Sequence, residues 1–245
     1  MLRQFASFSR NIHTVTMIKG HGIGPEISNS VVEIFKAAHI PIQWEYVKIE
    51  PQFNANTGLP EIPPEAVVSI NKNKVALKGP LETPVGKGHM SLNLLLRKTF
   101  SLYANVRPCI SIPGYPTKFK NVDSVLIREN TEGEYSGIEH EVVPGVVQSI
   151  KLITRQASEN VASYAFEYAS KMNRPIVCVV HKANIMKLCD GLFLDACRTI
   201  SKKYPKIELQ EMLIDNASLK IVSQPEYFTD KVMCMPNLYG SSLFI

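Results

Sequence analysis

The spacing of apolar side chains divides most of the chain into short β-branched runs and longer segments with a repeat of three to four residues. The short runs predict strands over residues 14–18, 43–49, 74–77, 103–108, 122–128, 176–180, 207–214 and 231–235. The helical repeat predicts helices over residues 25–35, 63–70, 92–100, 157–171, 188–201 and 217–223. Because strands alternate with helices, the pattern predicts an α/β protein with a largely parallel sheet.

One segment breaks this alternation. Residues 136–143 and 146–154 are two β-prone runs joined at the turn dipeptide Pro144-Gly145, which predicts a β-hairpin. A two-stranded ribbon is marginally stable by itself in water, and its open edges suit pairing with a second copy of the chain. We therefore expect an oligomer.

Composition excludes several classes of protein. The 245 residues are 45% hydrophobic and 20% charged, which indicates a globular protein of one or two domains. No apolar run approaches the roughly 18 residues of a membrane-spanning helix, so we expect no membrane insertion. The net charge of +5 is small and scattered, which argues against a nucleic-acid partner. Five cysteines without a CxxC pair argue against a disulfide framework or a structural zinc site.

The N-terminal 13 residues have a composition of their own. They contain Arg3 and Arg10 among serine, phenylalanine and leucine, and they contain no acidic residue. This composition is typical of a mitochondrial presequence and predicts a protein of the mitochondrial matrix. An ordinary frayed N-terminus is the alternative.

Three arginines lie where predicted elements meet loops. Arg97 follows a leucine-rich helical stretch, and Arg107 and Arg128 end predicted strands. Ligands of open α/β sheets bind beyond the carboxyl ends of the strands, and planar guanidinium groups hold carboxylates in bidentate fashion. Three converging arginines would indicate a substrate with several negative charges, whereas each of them alone could form a surface ion pair.

Other candidate groups follow predicted strands. Lys182 comes just after the buried run 176–180 and is a candidate for proton transfer, or else a solvated loop lysine. Asp215 closes the run 207–214 and suits a hard cation, although an N-cap for the following helix is equally plausible. Tyr135 could donate a proton. The segment Gly20-His-Gly-Ile-Gly is not a dinucleotide fingerprint and predicts only a tight strand-to-helix turn.

Six segments taken together are more specific. They are Lys78-Gly-Pro-Leu-Glu-Thr83-Pro, Ser91-Leu-Asn93-Leu-Leu-Leu-Arg97, Tyr103-Ala-Asn-Val-Arg107-Pro, Arg128-Glu-Asn-Thr-Glu-Gly-Glu-Tyr135-Ser-Gly-Ile-Glu, His181-Lys182-Ala-Asn184-Ile-Met and Met235-Pro-Asn-Leu-Tyr-Gly240. In this order they closely resemble the isocitrate and isopropylmalate dehydrogenase family, over residues 14–240. The resemblance implies two α/β lobes with a protruding β-hairpin. Residues 14–102 would form the N-terminal half of the large domain, 103–132 and 155–240 the small domain, and 133–154 a clasp-like dimerisation hairpin.

The resemblance also implies a site and a reaction. Ser91, Asn93, Arg97, Arg107 and Arg128 match residues that hold isocitrate. Tyr135 and Lys182 match the acid/base pair, and Thr83 and Asn184 match residues near the nicotinamide of NAD. Asp215 matches a ligand of Mg²⁺ or Mn²⁺.

In this family the matches of Lys182 and Asp215 act in the neighbouring subunit's site, so homologous subunits are implied partners. The implied reaction is the NAD-dependent oxidative decarboxylation of isocitrate to 2-oxoglutarate in the tricarboxylic acid cycle. The hydroxyl of Ser91 suits a third carboxylate, which disfavours isopropylmalate or tartrate as the substrate.

The sequence departs from the family pattern at residues 241–245. The family continues after Tyr-Gly with Asp-Ile-Leu-Ser-Asp, whose two aspartates share a helix face and bind the metal, whereas Ser241 and Ile245 stand there in this chain. The family's adenine-binding segment and the second half of its large domain follow that point. We therefore expect that this chain alone neither binds NAD tightly nor turns over isocitrate. Alternatives are a non-catalytic or regulatory subunit that binds full-length partners, and a splice product or incomplete gene model without a stable protein.

The glycine-rich turn departs as well. His21 stands where the family usually has aspartate, and Lys19 stands where a smaller or cyclic residue is common. These two changes bear on the local structure of the turn.

Overall fold

A computed structural model of the protein describes residues 12–50, 52–53, 60–82 and 91–243. The chain divides into two compact units, Met1–Thr99 and Phe100–Ile245. Residues 1–11 of the predicted presequence, Thr83 and Ile245 lie outside the described residues. None of the described helices is long and apolar enough to span a membrane.

The first unit is built around a small parallel sheet. Its elements are β1 (His13–Ile18), α1 (Gly24–Ala37), β2 (Ile42–Tyr46), β3 (Gln52–Phe53), β4 (Pro60–Glu61), α2 (Pro64–Asn73), β5 (Ala76–Lys78) and α3 (Leu92–Thr99). The sheet has the order β2-β1-β5, and β3 and β4 form a separate antiparallel ribbon. Because β1 lies in the centre of the sheet, its last four residues are all buried.

The turn between β1 and α1 requires glycine. Gly20 has a φ of +74°, and a Cβ at this position would lie 2.1 Å from the carbonyl oxygen of Pro80. Gly24 opens α1, and a Cβ on this residue would lie 2.1 Å from the carbonyl oxygen of Lys19. The predicted tight strand-to-helix turn is confirmed, and its glycines are explained by these close approaches.

The second unit contains a five-stranded sheet between two layers of helices. Its elements are β6 (Ala104–Ile110), β7 (Asp123–Glu129), a 3-10 turn (Glu134–Ser136), β8 (Glu139–Val143), β9 (Val146–Ser149), α4 (Arg155–Lys171), β10 (Ile176–His181), α5 (Cys189–Ser201), β11 (Glu208–Leu213), α6 (Ile214–Ser223), a 3-10 turn (Pro225–Phe228), β12 (Lys231–Met235) and α7 (Asn237–Ser242). The sheet has the order β11-β10-β12-β7-β6. The first four strands are parallel, as predicted, and β6 is an antiparallel edge strand beside β7.

Apolar side chains on both faces of this sheet are buried. Helices α4 and α5 cover one face, where Phe166 and Phe193 pack against β7, β10 and β12. Helices α6 and α7 and the 3-10 turn before β12 cover the other face. Thr154 is the N-cap of helix α4, and its hydroxyl oxygen accepts a hydrogen bond from the Ala157 backbone N–H at 3.3 Å.

The predicted β-hairpin is confirmed in a shorter form. Strands β8 and β9 pair antiparallel on either side of Pro144-Gly145, and every residue of both strands is exposed. Gly145 has a φ of +83°, and its backbone N–H donates to the Glu141 carboxylate at 2.8 Å. That this hairpin pairs with a second copy of the chain stays a prediction.

Candidate functional site

In the first unit, helix α3 divides its side chains between two faces. Leu92 and Leu96 are buried, while Asn93 and Arg97 lie four residues apart on another face. The side-chain amide of Asn93 donates to the Leu81 carbonyl at 3.1 Å. Ser91 precedes the helix, and its carbonyl accepts the Leu95 N–H at 2.9 Å. The structure thus places three predicted substrate residues on one helix or just before it, with Arg97 in the last turn.

A lysine lies within the electrostatic reach of Arg97. Burial lowers the pKa of Lys78, and the positive charge of Arg97 lowers it further. The ammonium of Lys78 also donates to the Gly79 carbonyl at 2.8 Å. Two neighbouring cations at the carboxyl end of β5 favour an anionic ligand there.

In the second unit, strand register brings two arginines to one face of the sheet. Arg128 is opposite Asn105 in the antiparallel pair of β7 with β6, and Arg107 is two residues beyond Asn105. Diagonal neighbours of this kind have Cα atoms about 7–8 Å apart and point to the same side of the sheet. The Nε–H of Arg107 donates to the Asn105 side-chain oxygen at 3.0 Å.

The prediction that Arg107 ends a strand is wrong. Strand β6 continues to Ile110, so Arg107 lies in its interior. It nevertheless lies near Arg128 because β6 runs antiparallel to β7, and its first half therefore flanks the carboxyl end of β7.

The side chain of Arg128 is fixed by helix α7. Its Nε–H and Nη2–H donate to the side-chain oxygen of Asn237 at 2.9 and 2.6 Å. Asn237 is fully buried, and its amide nitrogen donates to the Glu132 carbonyl at 2.6 Å. A Cβ on Gly240 would lie 2.5 Å from the Arg128 side chain, so a glycine is needed where α7 crosses the arginine. These α7 residues belong to the last of the six family-like segments, and the sequence alone indicated no individual role for them.

Tyr135 lies beside this arginine. Its ring centroid is 5.4 Å from the guanidinium carbon of Arg128, within the range of a cation–π contact. The Tyr135 hydroxyl donates to the Ser241 hydroxyl oxygen at 3.1 Å. A phenol is thus held next to a cation on the arginine face of the sheet.

Lys182 and Asp215 meet at the carboxyl ends of β10 and β11, which lie at the opposite side of the sheet from β6. Strands β10 and β11 are parallel, with His181 opposite Leu213, and the two site residues come directly after these strand ends. The Lys182 ammonium donates to the Asp215 carboxylate. The lysine side chain is 22% exposed and the aspartate 63%, so the pair opens to solvent through Asp215.

The alternative of Asp215 as a helix N-cap is wrong. Helix α6 begins at Ile214 with Leu213 at the N-cap position, so Asp215 lies inside the first turn. There its negative charge complements the helix dipole, and its side chain remains available to Lys182.

A family comparison decides the fold assignment. The model of the isocitrate/isopropylmalate dehydrogenase family matches residues 14–243. The chain belongs to this family. The predicted resemblance and the α/β fold class are therefore confirmed.

Individual proteins of the family agree closely. The chain is 62% identical over 228 residues to isocitrate dehydrogenase [NAD] subunit 2, mitochondrial, of Schizosaccharomyces pombe, covering 93% of this chain and 60% of that protein. It is 56% identical over 236 residues to isocitrate dehydrogenase [NAD] subunit alpha, mitochondrial, of Rattus norvegicus, covering 96% and 64%. The crystal structure of isocitrate dehydrogenase from Methylococcus capsulatus aligns with a TM-score of 0.83 at 41% identity, covering 95% of this chain and 69% of that one. The chain thus spans about three fifths of the length of these curated relatives.

The two residues predicted to contact the nicotinamide differ in what can be described. Asn184 is exposed on the loop that follows β10, two residues after Lys182. Thr83 lies outside the described residues. Among the described residues, no three histidine, cysteine, aspartate or glutamate side chains form a group that could hold a metal ion.

A buried polar cluster behind the Lys182 loop was not predicted from the sequence. Asp190 is fully buried in the first turn of α5 and contacts the ammonium of Lys151 and the hydroxyl of Tyr239. Burial, followed by the hydrogen bond to Asp190, raises the pKa of Tyr239. An acidic residue at a predicted helix start was visible in the sequence, but nothing there indicated which lysine it meets.

Proposed function

We propose that this chain is a subunit of a mitochondrial NAD-dependent isocitrate dehydrogenase, located in the matrix. Its reaction is the oxidative decarboxylation of isocitrate to 2-oxoglutarate in the tricarboxylic acid cycle. The names of relatives at 56–62% identity support this reaction. The hydroxyl of Ser91, which suits a third carboxylate, favours isocitrate over isopropylmalate.

One observation carries the proposal, the immobilised guanidinium of Arg128. The fork to Asn237 and the close crossing of α7 hold this cation in place before any ligand arrives, so binding loses little side-chain entropy. Arg107 adds a second guanidinium on the same face, which suits a substrate with more than one carboxylate. Ser91, Asn93 and Arg97 in the first unit are proposed isocitrate contacts because they match the family motif.

The proton transfers are assigned to Lys182 and Tyr135. Lys182, as the neutral amine, would accept the proton of the C2 hydroxyl as the hydride on carbon C2 passes to NAD, and Tyr135 would protonate the enolate carbon after loss of carbon dioxide. The Arg128 cation beside Tyr135 stabilises the phenolate that this protonation leaves behind. Lys182 and Asp215 are proposed to serve the site of an adjacent homologous subunit, which makes assembly part of the function.

The described residues do not by themselves form the implied metal site. Asp215 supplies one hard oxygen ligand for Mg²⁺ or Mn²⁺, and one of its oxygens already accepts from Lys182. Ser241 offers a hydroxyl where the family pattern has a carboxylate. No step is therefore assigned to the metal. NAD, when bound, supplies the hydride acceptor, with Thr83 and Asn184 as its proposed contacts.

Isocitrate binding tests the carrying observation. We expect the purified chain to bind isocitrate, and Arg128→Lys to weaken binding at least about tenfold because an ammonium cannot reproduce the guanidinium fork. Arg155→Lys, at an exposed ion pair with Asp195, is the matched control and should bind like the wild type. Calorimetry with isocitrate and with isopropylmalate measures both affinities. Equal or tighter binding of isopropylmalate, or no effect of Arg128→Lys, would contradict the proposal.

Turnover is tested separately. Because Ser241 replaces a metal-binding carboxylate of the family pattern, we expect no isocitrate-dependent NADH formation from the chain alone. Mixing it with homologous subunits should add NADH formation that depends on Lys182, since Lys182 is proposed to act in the neighbouring site. Measurable NADH formation by the purified chain alone would refute the first expectation.

A non-catalytic subunit is the second candidate function. It is favoured by Ser241 and by the fully exposed hairpin β8–β9, whose edges suit pairing with another subunit. Co-migration with a complete homologous subunit in gel filtration, with a change in that subunit's activity that survives Lys182→Met, would support it.

A further inference from the structure

A buried ionic cluster lies between the two segments that carry the proposed acid/base pair. At its centre, the Asp190 carboxylate is fully buried, and both of its oxygens are used. Oδ1 accepts from the Lys151 ammonium at 2.7 Å. Oδ2 accepts from the Lys182 backbone N–H at 2.7 Å and from the Tyr239 hydroxyl at 2.8 Å. The loop that begins at Lys182 is thus tied to a buried carboxylate through its first amide.

The same ammonium reaches the turn that carries Tyr135. The Lys151 side chain is only 10% exposed, and its Nζ lies 3.3 Å from Oε1 of Glu134, the residue before Tyr135. It also lies 4.6 Å from the ring centroid of Tyr239. The other Glu134 oxygen, Oε2, is buried and has no hydrogen-bond partner among the described residues. One buried cation therefore joins the turn before the hairpin to the loop after β10.

Such a buried ionic cluster contributes little net stability to the fold. Removing charges from water is expensive, and replacing a buried ion pair by well-packed apolar side chains is often neutral or stabilising. Here one ammonium faces two carboxylates, and hydrogen bonds to charged groups are directional and strong. The arrangement therefore fixes positions more effectively than it contributes to net stability.

We propose that Lys151 is a positioning residue that links the Lys182 loop to the Tyr135 turn through Asp190 and Glu134. Its catalytic meaning rests on the proposed function, in which Lys182 and Tyr135 move protons. In that assembly Lys182 serves an adjacent subunit's site and Tyr135 serves its own, so the link connects two sites through one chain.

Hydrogen exchange of the intact chain tests the link without substrate. We expect Lys151→Met to accelerate amide exchange about tenfold in residues 133–136 and in residues 182–186, because both segments lose a charge-assisted anchor. Lys171→Met makes the same chemical change at an exposed ion pair with Glu167 and should leave both segments unchanged. Acceleration in only one segment, or none, would overturn the proposal.

A second variant tests the same link if Lys151→Met disturbs the whole fold. Glu134 contacts the cluster through Lys151, so Glu134→Gln should accelerate exchange at 182–186 in the wild-type background and add nothing in the Lys151→Met background. A general loss of stability would accelerate other segments as well, which would count against a specific link. No remote effect of Glu134→Gln in an intact fold would also overturn it.

Activity in an assembly with homologous subunits supplies the functional readout. Lys151→Met should lower kcat while KM for isocitrate stays within about twofold, since Arg107 and Arg128 are not part of the link. An equal effect on KM would contradict a positioning role in proton transfer. Because the exchange experiment uses no substrate, its outcome is separate from a failure of isocitrate binding.

Discussion

The two units of this chain differ in how completely their sheets are covered. In the second unit, helices pack on both faces of five strands, and side chains such as Phe166 and Met235 are fully buried. In the first unit, three strands carry helices whose apolar side chains remain exposed, with Ile34 63% and Val68 66% exposed. Since burial of apolar surface is the main favourable term in folding, the second unit should be the more stable frame. It also holds four of the proposed substrate and proton-transfer residues: Arg107, Arg128, Tyr135 and Lys182.

Helix capping does not separate the two units in this way. In the second unit α4 is capped by the side chain of Thr154, whereas α5, α6 and α7 begin without a side-chain cap, as do α1 and α2 in the first unit. A cap of this kind typically contributes about 1 kcal/mol. The greater stability expected of the second unit therefore rests on its core packing.

The largest effect is expected from the core of the second unit. Phe166→Ala removes a fully buried ring that stacks on Tyr204 with a centroid distance of 5.6 Å, and should lower the free energy of unfolding by about 3–5 kcal/mol. Val68→Ala, at an exposed position of α2, should change it by less than about 0.5 kcal/mol. Urea denaturation followed by far-UV circular dichroism measures both.

The single tryptophan makes this experiment specific to a unit. Trp44 lies in β2 beside Phe35, so its fluorescence reports on the first unit while circular dichroism reports on all helices. We expect the Trp44 transition at lower urea than the main circular dichroism transition, and little shift of it in Phe166→Ala. Coincident transitions that move together would show that the two units unfold as one.

The next effect concerns the crossing of α7 over Arg128. Gly240→Ala places a Cβ about 2.5 Å from the arginine side chain and should destabilise the protein by about 1–3 kcal/mol. It should also weaken isocitrate binding, because the guanidinium must move. Gly191→Ala in α5 is the matched control, since a Cβ there meets nothing within 4 Å, and helix propensity predicts a gain of about 0.5–1 kcal/mol. Thermal unfolding measures stability and calorimetric titration measures isocitrate binding. Equal behaviour of the two variants would contradict the proposed role of Gly240 in holding the Arg128 side chain.

Features set by neighbouring residues were predicted from the sequence, whereas features set by contacts between distant segments were not. Hydrophobic period located the elements of the second unit to within a few residues, because its helices and strands bury regular apolar faces. It missed α7, whose six residues are too few for a helical period to show. The position of Arg107 was wrong because pairing of β6 with β7 is a non-local property.

The candidate site shows the same difference between local and long-range features. The family-like motifs indicated Arg128, Tyr135 and Lys182, and Asp215 was indicated by its position after a predicted strand. The structure pairs Lys182 with Asp215 at the ends of β10 and β11. The groups that hold these residues in place were not found. Lys151 and Asp190 are 39 residues apart in sequence, and only the folded chain shows that they meet.

The smallest expected effect is a pH dependence centred on His181. Burial lowers the pKa of His181 below its ordinary value of about 6.5, although the charges of Glu211 and Asp190 act in the opposite direction. Its Nδ1 accepts the Ala183 N–H at 3.1 Å, which also favours the neutral ring. The unfolded chain therefore binds a proton at a higher pH than the folded chain does. Stability is unaffected well above pH 6.5 and falls as the pH drops through that value.

His181→Gln removes this contribution. Between about pH 7.5 and pH 5.5, the free energy of unfolding should fall less in the variant than in the wild type. We expect this difference to be smaller than the effects of Phe166→Ala and Gly240→Ala. His140→Gln, at an exposed position of the hairpin, should leave the wild-type slope unchanged. Carboxyl groups such as Glu211, whose pKa is lowered by Arg198, lose their contribution only at lower pH and do not enter this window. Urea midpoints measured across the range give the slope directly. An identical slope in His181→Gln would contradict the prediction, because protonation of the His181 ring would then not destabilise the folded chain.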